Sequence, residues 1–159
     1  MTRFFQITAA LGLCAGMAVG TASAASNPFV GHWHWNAAES LVPPDEPTPR
    51  EVTAEITSAD GTRITWTASL IDHMGQKHVE TFDGLPNGVF FPVQGAGDGT
   101  TAAFTLANGV LQSTFRHPSG GSDTQSCTPS TDDRKLTCRG AWSDGKGHTT
   151  AYVDVYDRL

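Results

Sequence analysis

Six two-residue turn signals punctuate this chain, and they restrict its fold more than any other feature. Asp-Gly or Asn-Gly stands at Asp60-Gly61, Asp83-Gly84, Asn87-Gly88, Asp98-Gly99, Asn108-Gly109 and Asp144-Gly145. Such pairs tolerate the positive φ that tight antiparallel hairpins require. Between them apolar and polar residues alternate with period two, as half-buried strands do. Val52, Ala54 and Ile56 alternate with Thr53, Glu55 and Thr57, and Ile64, Trp66, Ala68 and Leu70 with Thr65, Thr67 and Ser69. Leu111, Ser113 and Phe115 oppose Gln112, Thr114 and Arg116; Leu136, Cys138, Gly140 and Trp142 share a face, and so do Ala151, Val153 and Val155.

The pattern predicts ten strands, over 30–36, 50–58, 63–72, 77–83, 89–94, 100–107, 110–117, 123–129, 134–142 and 148–156. Composition agrees: 9 Leu against 20 Thr and 17 Gly disfavours helix bundles, because Thr and Gly both weaken helices. The stretch from Ala37 to Pro49 has no strand signal, and Pro43, Pro44, Pro47 and Pro49 make it an extended surface connection. Too few residues precede it to form a separate domain. Consecutive hairpins therefore predict a single all-β domain, an antiparallel up-and-down barrel of about eight to ten strands with a sandwich as the rival. Closure would also remove exposed edges.

Residues 1–24 read as a cleaved signal peptide: Arg3, an uncharged and mostly apolar run from Phe4 to Gly20, then Ala22-Ser23-Ala24 before a cut at Ala25. The folded domain is then 25–159, in the periplasm or secreted. A formal charge of -6, with no Lys/Arg cluster, argues against nucleic acid, and no run predicts membrane insertion. Removing Cys14 with the leader leaves Cys127 and Cys138 as a pair in an oxidising compartment. A turn centred on Asp132-Asp133 sets them directly opposite each other, within disulfide reach. No CxxC and no His partner supports a redox or metal role instead.

The first strand of the exported chain reads Phe29-Val30-Gly31-His32-Trp33-His34-Trp35-Asn36. Gly31-x-Trp33 in that place resembles the first-strand element of lipocalins. Together with the Pro-rich link, Thr81-Phe82-Asp83-Gly84 and the closing Val153-Asp154-Val155-Tyr156-Asp157, it resembles a group of secreted bacterial lipocalin-like (calycin-type) domains of unassigned activity. The resemblance implies a barrel closed at one end by Trp33, with Arg158 lying over its indole.

An inward set of Trp33, Trp35, Trp66, Phe104, Phe115 and Trp142, with Val52, Ile56 and Leu111, is either a filled core or the wall of a pocket for an apolar or amphipathic small molecule. His32 and His34 share the opposite strand face and read as surface residues, with no metal site assigned. Asp72-His73 and His78-x-Glu80 flank one hairpin and are the candidates for proton transfer. No catalytic residue and no cofactor is assigned. Gly95-Ala96-Gly97-Asp98-Gly99 leads into a strand, not the helix a phosphate loop needs. Three functions follow in order: a non-catalytic binder of a small apolar or amphipathic molecule; a filled barrel whose surface meets an unknown protein partner, as inhibitor or envelope component; a barrel lyase, cyclase or isomerase.

Overall fold

The computed structural model describes residues 27–44, 47–97 and 99–159; the leader, and with it the expected cleavage site, lies outside them. The described chain forms ten strands: β1 (Gly31–Trp35), β2 (Glu51–Ala59), β3 (Ile64–Ile71), β4 (Lys77–Gly84), β5 (Phe91–Pro92), β6 (Thr101–Ala107), β7 (Val110–Arg116), β8 (Ser122–Pro129), β9 (Lys135–Ser143) and β10 (Thr149–Arg158). They build one antiparallel sheet in the order β4-β3-β2-β1-β10-β9-β8-β7-β6-β5. All ten expected strands stand within two residues of their predicted ends. The loss matters most for β5, expected over 89–94, which gives up two residues at each end and keeps only two paired residues.

The hairpins follow from turn chemistry. Asn108 and Gly109 both adopt positive φ (52° and 74°), so β6 and β7 join through a two-residue loop with Ala107 opposite Val110. First and last strands zip together, Trp33 opposite Arg158 and Trp35 opposite Tyr156. The opposite seam is thinner. Thr81 of β4 and Gln94 exchange two backbone hydrogen bonds of 2.9 Å, so the sheet curls into a nearly closed barrel.

Register fixes which side chains face inward, because opposed residues share a face and alternate along each strand. Around the end where β1 begins, that face is apolar. Trp33, Ile56, Ile64, Phe82, Phe104, Leu111 and Leu136 form its buried cluster, together with Cys127 and Cys138. The two cysteines are register partners and are bonded, with Cα atoms 4.0 Å apart. Phe82 packs on Phe104 at 4.6 Å between ring centroids and on Trp66 at 6.0 Å; Phe115 meets Phe104 and Trp66 at 5.9 and 6.3 Å. The Arg158 guanidinium lies 4.2 Å from the Trp33 ring centroid and donates to the carbonyls of Asp133, Val30 and Pro28. This end is packed shut.

Candidate functional site

The other end is hollow. There the inner face of β10 presents Thr150, Tyr152, Asp154 and Tyr156, and β8 presents Asp123 and Gln125. Trp35, Val52, Leu70 and Trp142 supply the apolar wall. The chain after β1 runs across these walls: Leu41 pairs with Val153, and Val42, Pro43, Pro44, Pro47 and Pro49 close over the opening. The result is a partly enclosed cavity of about 940 Å³. The Pro-rich stretch is therefore more than a surface connection: Pro43 is buried, and the strap forms the cover.

The polar floor carries two hydrogen-bonded groups. Tyr152 Oη donates to the Asp123 carboxylate, lying 2.6 and 2.7 Å from its two oxygens. Gln125 Nε2 donates to Tyr152 Oη at 2.7 Å, and Trp35 Nε1 donates to Asp154 Oδ1 at 2.9 Å. The Tyr152 ring reaches β8 only because β9 carries Gly140 between them. A Cβ at that position would stand 2.2 Å from the ring. Burial raises the Asp123 pKa above the ordinary carboxylate range, the Tyr152 hydrogen bond opposes the rise, and the charge of Asp154 adds to it. Burial, then the Asp123 charge, pushes the Tyr152 phenol far above its usual value, so it stays a donor. Burial, then the charge of Asp154 and after it that of Asp123, drives Tyr156 up as well.

Of the six aromatics expected to face a ligand, Trp35 and Trp142 line this cavity. Trp33 sits at the packed end under Arg158, while Trp66, Phe104 and Phe115 stack on one another away from the cavity wall. His32 and His34 lie on the outer face and are exposed, His32 Nε2 standing 3.6 Å from Glu55. Among the described residues no group of three His, Cys, Asp or Glu is placed to hold a metal. Asp72 and His78 pair at 3.1 Å across an exposed hairpin. Glu80 shares His78's inward parity and is half-buried; burial raises its pKa, against the opposing charges of His117 and His78.

Asp123, Gln125, Tyr152 and Asp154 were not singled out from the sequence, yet two signals locate them. The Cys127–Cys138 register, carried four residues along both strands, sets Asp123 opposite the inward Trp142. An inward Arg158 puts Tyr156, Asp154 and Tyr152 on its own face by period two. The apolar set Ala151, Val153 and Val155 thereby faces outward. Val155 is nevertheless buried, its backbone bonded to Asn36 N–H and Ser40 Oγ in the segment leading to the strap.

No protein-family model matches the sequence, and no curated protein does. Solved structures match the fold. The wild-type fluorescent protein UnaG aligns with a TM-score of 0.53 at 18% identity, over 84% of this chain and 98% of that one. The fatty-acid-binding protein isolated from Manduca sexta aligns with a TM-score of 0.50 at 17% identity, over 81% of this chain and 98% of that one. The architecture is a lipocalin-like antiparallel β-barrel.

Proposed function

We propose that the chain is an exported, non-catalytic barrel that holds one small amphipathic molecule in its strap-covered half. The observation that carries this reading is the cavity of about 940 Å³, with Trp35, Val52, Leu70, Trp142 and prolines along its walls and hydrogen-bonded polar groups on its floor. Ligand sites combine concavity, an apolar lining and a few convergent polar groups in this way. The volume is at the upper part of the range of about 300–1,000 Å³ for small-molecule sites. A filled barrel acting only through its surface would have no use for half-buried inward carboxylates, which are costly to desolvate. A fatty-acid-binding protein among the structural neighbours supports the same reading. Export is supported by the leader pattern over 1–24 and by a disulfide that persists in oxidising compartments.

The test is titration with a neutral solvatochromic dye such as Nile red. Saturable one-site binding is expected, and Leu70→Trp, which fills the cavity from β3, abolishes it while circular dichroism stays unchanged. Dye binding that never saturates, or that survives Leu70→Trp in a folded variant, would overturn the reading. N-terminal sequencing of exported protein should begin at Ala25; retention of the leader would refute the export claim.

A further inference from the structure

The cavity carries a charge preference, and this inference rests on its being a ligand site. Among the described residues no Lys or Arg lines it. Arg158 points inward only at the packed end, where Trp33 and three carbonyls hold its guanidinium. Arg50, near the rim, is turned to the His73 carbonyl. The inward carboxylates of the hollow half are Asp123 and Asp154, with Glu80 further round on β4. The other titratable groups nearby are Tyr152 and Tyr156 on β10, His148 at the rim, His78 on β4 and His117 after β7.

We infer that the ligand of this cavity is an amphipathic cation: an amine or ammonium head seated on the Asp123–Asp154 floor, with its apolar body against Trp35, Trp142, Leu70 and Val52. The cavity marks the site and the carboxylates decide its class. Two acids on one inner face repel each other and lose hydration, so neither improves the packing of an empty barrel. A bound ammonium relieves both penalties. It forms charge-assisted hydrogen bonds with carboxylates already held in place, Asp123 by Tyr152 and Asp154 by Trp35. Trp35 and Trp142 add indole faces, the aromatic partners that attract cations best. A fatty acid would bring one more negative charge to a wall on which the described residues place two carboxylates and no Lys or Arg. Apolar fit therefore admits many chains, and repulsion rejects the anionic ones.

The experiment displaces Nile red with three probes that share one alkyl chain, namely decylammonium, decanol and decanoate, at neutral pH and below micelle-forming concentrations. The ammonium is expected to bind about tenfold tighter than decanol, with decanoate weakest. Asp123→Asn should lower the affinity for the ammonium about tenfold. Glu55→Gln, which removes a charge from the outer face, should leave the ranking as it is and so excludes attraction to a generally acidic surface. The ranking on the wild-type protein decides the matter even where Asp123→Asn fails to fold. Equal binding of ammonium and decanol, or tighter binding of decanoate, would overturn the cation preference and leave the cavity reading intact. Failure of all three to displace the dye saturably would overturn both.

Discussion

Arg158 meets four partners at once at the packed end of the barrel: the Trp33 ring and the carbonyls of Asp133, Val30 and Pro28. The planar fork of a guanidinium suits that task and an ammonium does not. Arg158→Ala is expected to destabilise the protein by about 3 kcal/mol in urea unfolding, and Arg158→Lys to recover less than half of that. Full rescue by Lys would reduce the contact to simple charge. Asp123 works in the opposite direction. Its pKa is raised in the folded state, chiefly by burial, so the native protein holds that proton more tightly than the unfolded chain does. The unliganded fold is therefore penalised as pH rises from the ordinary carboxylate range through the raised value. Exposed carboxylates that are lowered, such as Asp83 beside Arg63 and Asp157 beside Lys135, lose stability on acidification instead, so only a difference isolates Asp123. The stability gain of Asp123→Asn over wild type should be greatest at neutral pH and shrink as pH falls toward about 4. A gap that widens on acidification would contradict this. At this scale the pairing of Trp33 with Arg158 was legible, because a short motif points to it. The Asp123–Tyr152 contact was not, because it joins residues 29 positions apart across an intervening glycine.

Strands and hairpins were the most legible level, since period-two alternation and Asn-Gly or Asp-Gly turns are local signals. β5 departs from its expected length for a physical reason. Pro92 has no N–H to give the ladder, Val93 N–H makes one more bond to the Thr100 carbonyl, and Gln94 then turns away to pair with Thr81 of β4. The strap illustrates the limit of local reading. Four prolines announce an extended segment, but nothing in the segment says that it crosses a cavity mouth. The β8–β9 hairpin shows the reverse: a turn position was enough to place Cys127 against Cys138. Both cysteines belong to the buried cluster, and their separation of 11 residues closes a short loop. Cys127→Ala with Cys138→Ala is expected to lower the unfolding free energy by about 3 kcal/mol, chiefly by freeing the unfolded chain. Reduction of the wild-type protein should give a similar loss, and no change on reduction would mean the bond contributes nothing.

Across the whole barrel the inner face changes character from one end to the other. Aromatic and aliphatic residues fill the half around Trp33, and carboxylates, phenols and a Pro-rich cover enclose a void in the other. Period-two alternation marks inside and outside along one strand but carries no record of whether the space ahead is filled. A filled core and a hollow one therefore read alike in sequence, and only ten strands in register separate them. The energetic consequence can be measured. Phe82 is fully buried among Trp66, Phe91 and Phe104, so Phe82→Ala opens a new void and should cost about 3–5 kcal/mol. Leu70 already borders open space, so Leu70→Ala adds no cavity of its own and loses only transfer free energy, about 1–2 kcal/mol. Denaturant unfolding of the two variants compares the halves directly. Equal costs would mean that the strap-covered half is packed as tightly as the closed one, and the binding function would lose its physical basis.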